Sequence, residues 1–450
     1  MVSRRRALSL LSLSAAALAG CNARDGDTGN ETPPGSPDPD AEEEEPPEGV
    51  VDIRDFGAAV DGTTDDTRAV RDAIDAVGEG GTVYFPTGTT LVSADDRTEE
   101  GATAIEIRGD DLPDDVTFRG EGEASVVRLD GGHEGNHGTF AWRPENGISG
   151  HVVRDLTVDG NRGEQPADPG NNDNGLNLAV THAAVDDATV DVAFRDVWSV
   201  DANTECFTFL QGGCVAERCT ARGAGKHGFG IDTYNKVGPV LPPVVVRASH
   251  ATGCDLYGID CSGGTTLVED CVLEGNGWGT KTTGQVLEAT FRRVRLADND
   301  RIGYQRNDTP TETGEVARVR FDRVVAQSNG AQGFRFGRDT EYAVGAVAAL
   351  GNNGSGTARG NITILDNASV TADEIRSFGA EFGVGIHYWS SARSAVSLYA
   401  NFGNRDGPFD GKVENLTIRA IDLTEPDRAD GGLGFDAVPD ATDVGAGTGG

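Results

Sequence analysis

The sequence predicts an all-β chain wound as a solenoid, and three observations predict it. A rung of roughly 22 to 30 residues recurs between His151 and about Asp339. Each rung opens on a short apolar strand: 192–197 (VAFRDV), 214–219 (CVAERC), 244–249 (VVVRAS), 266–271 (TLVEDC), 289–294 (ATFRRV) and 319–324 (VRFDRV). After a polar turn a second strand follows, mostly led by Gly: 206–209 (CFTF), 228–231 (GFGI), 258–261 (GIDC), 303–306 (GYQR) and 333–336 (GFRF). One such coil cannot bury its apolar side chains alone, so a short fixed period of strands means stacked coils. Function then sits in the side chains that stand outward in ladders.

From the amino terminus, Ser3-Arg4-Arg5-Arg6 precedes an apolar stretch, 7–19, too short to span a bilayer. A twin-Arg pair before such a stretch looks like a Tat export signal. Leu18-Ala19-Gly20-Cys21 resembles a lipobox with Cys21 as the lipidated residue, so 1–21 is expected to be a Tat-type lipoprotein signal segment. Residues 22–49 are rich in Pro, Gly and acids with almost nothing to bury, an expected disordered tether. The stretch 425–450 reads as a disordered tail, which leaves one domain, 50–424. An extracytoplasmic protein is expected, anchored to the outer face of the cell membrane or secreted.

There are 73 acidic residues against 38 basic ones, and only four of the bases are Lys: 226, 236, 281 and 412. Such a surface suits very salty surroundings, and the absence of any basic stripe argues against nucleic-acid binding. Beyond Cys21 there are six Cys: 206, 214, 219, 254, 261 and 271. An exported protein permits disulfides, and six Cys allow fifteen pairings. Cys219 and Cys271 share a rung position with Ser249 between them, so two coils hold them roughly 9.6 Å apart, beyond disulfide reach. They are expected in an inward stack. His133-Glu134-Gly135-Asn136-His137 matches H-E-x-x-H, but Gly131, Gly132, Gly135 and Gly138 surround it. That motif binds zinc only on a helix, which so many glycines disfavour.

The domain opens with 51–58 (VDIRDFGA) and 61–67 (DGTTDDT), then a helical pattern over 68–77. Ala69, Val70, Ala73, Ile74 and Val77 give it an apolar stripe, and Asp65 or Thr64 can cap it. Gly80-Gly81 ends it, and 82–86 (TVYFP) begins a strand. This block resembles the amino-terminal module of the pectate lyase superfamily. The resemblance implies a single-stranded right-handed parallel β-helix over most of 50–420, with a capping α-helix at its amino-terminal end. The superfamily includes lyases, hydrolases, epimerases and phage tailspikes, so fold alone does not fix activity. Asn203-Thr204-Glu205 also looks like the Asn-Thr-Asp-Gly segment of polygalacturonases. Glu205 and Lys281 match that family's pattern. Lys226-His227 stand where it has paired aspartates and Tyr257 where it has His, a departure that argues against ordinary galacturonan hydrolysis.

In a strand of form Gly-h-x-h the x residue points outward. The expected ladder is Asn177, Thr208, Gly230, Asp260, Gly279, Gln305 and Arg335, flanked by Glu205, His227, Tyr257 and Asn276 and extended by Asp232 and Lys281. Lys226, Lys236, Lys281, Arg301 and Arg306 crowd this part of an otherwise acidic chain, which points to an acidic, uronate-containing polysaccharide. Asn177, Lys281, Arg306 and Arg335 are the expected substrate-binding residues. β-Elimination or epimerisation needs a base and a positive charge beside the uronate carboxylate. Lys226, His227 or Tyr257 can act as base or acid, with Arg306 or Lys281 neutralising charge. Ca²⁺ is the one cofactor suggested, through Asp201, Glu205, Asp232 and Asp260. Hydrolysis would instead use Asp232 and Asp260, roughly 8 Å apart by strand arithmetic.

The rival reading is a non-catalytic surface β-helix that binds glycans or is structural. Convergence of Glu205, Lys226, His227, Tyr257 and Asp260 in one groove favours the enzyme; scatter favours the rival. A phage-tailspike role is disfavoured by the export signal. The insertion 161–174 is expected to border the strip. Six sequons, at Asn30, Asn307, Asn353, Asn361, Asn367 and Asn415, fit an exported protein. No oligomeric state is implied.

Overall fold

In the computed structural model, which describes residues 49–423 apart from short loop segments, together with 438–440 and 443–445, each predicted first strand is bent once. Cys21, the signal segment and the tether up to residue 48 lie outside the described residues. The bend falls on one residue of positive φ: Asp196 (52°), Arg218 (50°), Ala248 (49°), Asp270 (54°), Arg293 (51°) and Arg323 (55°). Few non-glycine residues enter that left-handed region, Asp more readily than most. A coil therefore has three strands rather than the expected two. The chain beyond the bend forms its own short strand, as at Thr220–Arg222, His250–Thr252, Val272–Glu274 and Arg295–Ala297.

Successive coils pair parallel and in register, for example Ala193↔Val215↔Val245↔Leu267↔Thr290↔Arg320. The result is a right-handed parallel β-helix. Inside it, like side chains stack: the Phe207 and Phe229 rings lie 4.8 Å apart at 9°, and Phe291 and Phe321 5.3 Å apart at 12°. Such parallel, offset pairs contribute beyond their burial. Cys219, Ser249 and Cys271 form the expected inward stack, with the Cys219 N–H donating to Ser249 Oγ at 3.0 Å. All six described cysteines are buried and unpaired.

One internal column explains the glycine rhythm. Asn276, Asn299, Asn329 and Asn352 are buried at the same turn of successive coils. Each side-chain oxygen accepts the backbone N–H of the coil before: Cys254 to Asn276 (3.0 Å), Asn276 to Asn299 (3.1 Å), Asn299 to Asn329 (3.2 Å) and Asn329 to Asn352 (3.0 Å). Turn N–H groups with no strand partner are thereby satisfied inside the protein. The next strand starts so close that a Cβ at Gly258 would lie 2.9 Å from Gly279 O and 3.0 Å from Asn276 Nδ2. Asn276, expected to point outward, belongs to this column instead. Two of the six sequon asparagines, Asn353 and Asn361, are buried as well and present no surface acceptor.

At the amino-terminal end α1 (Thr67–Ala76) buries Ala69, Val70, Ala73 and Ile74 in the main core, with Val77 beyond it. The N-cap residue is Asp66, which makes no side-chain cap bond, while Asp65 Oδ1 accepts the Thr67 N–H at 2.9 Å. His137 begins the strand His137–Arg143, so the H-E-x-x-H histidines do not share a helix face. In place of a wholly free tail, its described pieces lie on the coils. Val438 packs beside Val325 and Phe378, Asp440 pairs with Arg295, and the Gly445 N–H donates to Ala248 O at 2.8 Å.

Candidate functional site

The site face is built from the strands that follow one turn of the coil, which asparagine occupies from Asn276 to Asn352 and Ala202, Ala224 and Cys254 occupy before it. They are β1 (Glu205–Phe209), β2 (His227–Asp232), β3 (Tyr257–Glu269), β4 (Trp278–Arg292), β5 (Tyr304–Arg306), β6 (Phe334–Phe336), β7 (Gly360–Asp366), β8 (Val384–Ser390) and β9 (Phe409–Gly411). One outward column runs Thr208↔Gly230↔Asp260↔Lys281↔Gln305↔Arg335↔Thr363↔His387↔Asp410. Beside it runs a second, in which Glu205 pairs with His227 and Tyr257 with Trp278.

Where the columns meet, a polar cluster forms. Asp260 is its hub: Oδ2 lies 3.1 Å from His227 Nε2 and 2.7 Å from Lys281 Nζ, and Oδ1 accepts from Ser262 Oγ at 2.7 Å. Tyr257 fills the wall between them. Its ring centroid is 5.4 Å from that of His227, the Lys281 ammonium lies 4.8 Å over it, and Gln305 Nε2 donates to its hydroxyl at 2.6 Å. Trp278 continues the wall, 5.2 Å from Tyr257, with the Arg301 guanidinium 4.4 Å above its ring. Glu205 Oε2 accepts from Thr208 Oγ1 at 2.7 Å, while Oε1 lies 3.9 Å from His227 Nε2.

Environment pushes the two carboxyls apart. Burial raises Glu205 above the usual carboxylate range, a rise that His227 and the Thr208 bond only partly oppose and the Asp260 charge reinforces. Burial acts on Asp260 in the same direction, but the hydrogen bond and charge of His227 and the Lys281 ammonium together outweigh it and hold Asp260 low. Burial, with the Asp260 charge, pushes the Tyr257 phenol up to about 12. The face thus holds one carboxyl driven up and one held down within the same cluster.

Four of the five residues whose convergence was in question, Glu205, His227, Tyr257 and Asp260, therefore meet. The fifth, Lys226, precedes His227; its charge acts on Glu205 and its carbonyl accepts the Leu256 and Tyr257 N–H groups. Arg335 stands on the outward column beside Gln305, where its charge opposes the rise of Tyr257.

Other expectations fail. Asn177 is buried: Leu176 pairs with Glu205 and Leu178 with Phe207, so Asn177 falls on the inward column held by Cys206 in the next coil and by glycine in the one after. Its amide donates to Val158 O, Ser199 Oγ and Val200 O, so it holds the turn and cannot bind substrate. Arg306 pairs with Thr282 on an inward column, only 2 % exposed, with its charge acting on the Tyr304 and Tyr342 phenols. It cannot neutralise a sugar carboxylate outside. Lys281, not Gly279, occupies the outward ladder, because the register starts at the second of two nearby glycines. Asp232 lies beyond a register shift, across from Gly263, while the Asp260 carboxylate is bonded by His227, Lys281 and Ser262.

Among the described residues no three His, Cys, Asp or Glu side chains are grouped to hold a metal ion. The insertion does reach the site's edge, since Arg162 Nη2 bonds Asp255 Oδ2 at 2.5 Å and Nη1 bonds Gly223 O at 3.3 Å. Lys236 and residues 167–174 lie outside the described residues. Trp278, Gln305's grip on Tyr257, and Ser262 were not anticipated. For Trp278 the signal was present in Gly277-Trp278-Gly279, where either glycine could lead the strand.

Residues 50–233 match a family model described as rhamnogalacturonase A/epimerase, pectate lyase-like. The A-module of mannuronan C-5 epimerase AlgE4 from Azotobacter vinelandii superposes with a TM-score of 0.60 at 20 % identity, over 82 % of this chain and 99 % of that one. The chain has the fold of the pectate lyase superfamily. A surface adhesin of Streptococcus pneumoniae shares the superfamily winding too, with a TM-score of 0.52 at 14 % identity over 83 % of this chain and 91 % of that one. By sequence the chain is 32 % identical over 205 residues to alginate lyase 7 of A. vinelandii, 40 % of this chain and 23 % of that protein. It is 30 % identical over 205 residues to mannuronan C5-epimerase AlgE3 of the same organism, 40 % of this chain and 11 % of that protein. It thus spans about a quarter or less of the length of these curated relatives.

Proposed function

We propose that this protein is an enzyme acting on an acidic, uronate-containing polysaccharide, and that it removes the proton beside the sugar carboxylate to start a β-elimination. The observation that carries the proposal is the Asp260 hub, which gathers His227, Tyr257 and Lys281 on one outward face. Relatives named as an alginate lyase and mannuronan epimerases support it, since both reactions begin with that same proton.

Each group has a part. Lys281, fixed by Asp260 at 2.7 Å, brings positive charge for the carboxylate as its α-carbon gives up a proton. His227 accepts that proton at Nε2, the ring nitrogen on the site face, and ionised Asp260, 3.1 Å away, stabilises the imidazolium. The C5–H electron pair forms the C4–C5 double bond and the C4–O bond breaks. Tyr257, kept protonated at neutral pH, donates its proton to the departing oxygen. Glu205, whose proton affinity burial raises, accepts from Thr208 Oγ1 beside them.

The test is to incubate the protein with polymannuronate, polyguluronate and polygalacturonate in deuterated water, following unsaturated ends, reducing ends and deuterium at C5. Unsaturated and reducing ends appearing together are expected, with His227→Ala slowed by about 10²–10⁴-fold. Deuterium at C5 without chain cleavage would make the enzyme an epimerase using the same first step. Reducing ends without unsaturation would overturn the elimination, and no change in any polymer would favour the non-catalytic glycan binder.

A further inference from the structure

The outward column does not stop at the cluster. From Asp260 it continues through Lys281, Gln305, Arg335 and Thr363 to His387 and Asp410, five coils from Asp260 to His387. At its far end stands Trp389, two residues along β8 from His387 and so on the same face. It is 45 % exposed, whereas Tyr257 at the cluster is 8 % exposed. The His387 and Trp389 rings lie nearly parallel, 16° apart with centroids at 6.2 Å, and the Lys412 ammonium sits 4.7 Å over the indole. The neighbouring Asp410 carboxylate is engaged by His387 Nδ1.

Lysine usage makes the arrangement specific. The chain has four lysines, and the three described ones all lie along this face: Lys226 before β2, Lys281 on β4 and Lys412 just after β9. The remaining bases are arginines, many tied to acids elsewhere on the coils. An ammonium over an exposed indole offers an acidic sugar both a stacking surface and a counter-charge.

We propose that Trp389 and Lys412 form a distal subsite for the same acidic polysaccharide chain, continuous with the cluster at Asp260. This rests on the polyuronate reading above and adds where a long chain is gripped. At about 4.8 Å per coil the subsite lies roughly 24 Å from Asp260, so only chains several sugars long reach both. Short oligomers occupy the cluster alone, and long ones gain from two linked contacts.

The test compares the affinities of the full chain for a tetramannuronate and for a long polymannuronate. The readout is the ratio of the two affinities, which cancels any effect common to both. Trp389→Ala should lower that ratio about tenfold, as expected for loss of one aromatic contact. Trp389→Phe, which keeps a stacking face at an exposed position, should restore most of it. Lys412→Gln should lower the ratio and flatten its dependence on salt. A ratio unchanged in Trp389→Ala overturns the subsite, as does one that falls equally in Trp389→Phe, since that would reflect a structural role. A wild-type protein that binds neither length takes down the polyuronate reading itself, a result separable from failure of the subsite alone.

Discussion

At the residue scale, position along a ladder decides chemistry. Asp260 and Glu205 are both largely buried carboxyls on one face, yet Asp260 is held ionised by His227 and Lys281 while Glu205 is driven toward its neutral form. The consequence for stability follows from the sign of each shift. Folded Glu205 binds its proton more tightly than unfolded Glu205, so its contribution is present at low pH. It is lost as pH rises from the ordinary Glu range through the raised folded value. Asp260 behaves oppositely, stabilising above its unfolded range and losing that contribution as pH falls through its lowered folded value. Glu205→Gln should therefore gain stability relative to wild type as pH rises through the first window. Urea unfolding at a series of pH values measures this, and a difference that stays flat with pH would contradict the raised Glu205. The cluster was largely legible in sequence because Glu205, His227, Tyr257 and Asp260 precede or occupy Gly-led strands. Asn177 was misread because its strand starts two residues later than Gly175 suggests, so that Ala179 and not Asn177 pairs with Thr208. Arg306 keeps the inward position its strand pattern gives it, and only its charge suggested the outside.

At the element scale, the turn that launches the site strands from β4 to β7 is an asparagine column. Asn329 is the clearest link, accepting the Asn299 N–H and side-chain amide while donating to Leu296 O and Asn352 Oδ1. Asn329→Ala leaves several buried partners unsatisfied and should cost about 1–3 kcal/mol per orphaned group. The measurement is the urea midpoint followed by circular dichroism. An unshifted midpoint would mean that water replaces the lost amide. The sequence shows these asparagines, but nothing local marks them as inward; turn asparagines usually face solvent. Likewise, 192–197 and its copies read as single strands because their apolar spelling continues across a left-handed bend that Asp, Arg and Ala all adopt here.

At the scale of the whole molecule, charge is arranged in two ways that oppose each other in salt. Along one outward column Arg195, Glu217, Arg247, Glu269, Arg292 and Asp322 follow one another coil by coil, alternating in sign. Glu217 lies 3.0 Å from Arg247, and Glu269 is 2.5 Å from Arg293 as well as bonded to Arg292, which holds Glu269 below its usual range. Partly exposed pairs of this kind are worth about 0–1 kcal/mol each and weaken as salt screens them. Against them stands a net charge of −35. Self-repulsion on that scale is also screened, and it acts on every coil, so screening should stabilise overall. The melting temperature should rise as NaCl goes from about 0.1 M, where the Debye length is about 10 Å, to about 1 M, where it is about 3 Å. A falling melting temperature would show the ion-pair column to be dominant.

The sequence by itself determined the solenoid, its length of coil and the stretch of chain where a site would form. Periodicity is a local property, and an apolar strand that repeats has only its own copies to pack against. Tertiary structure alone decided which side each polar residue takes and which ones meet. His227, Tyr257, Asp260, Lys281 and Gln305 come from four different coils, and their contacts depend on inter-coil register. Register is set by buried asparagines and glycines acting across coils, a constraint that no single stretch of the sequence contains.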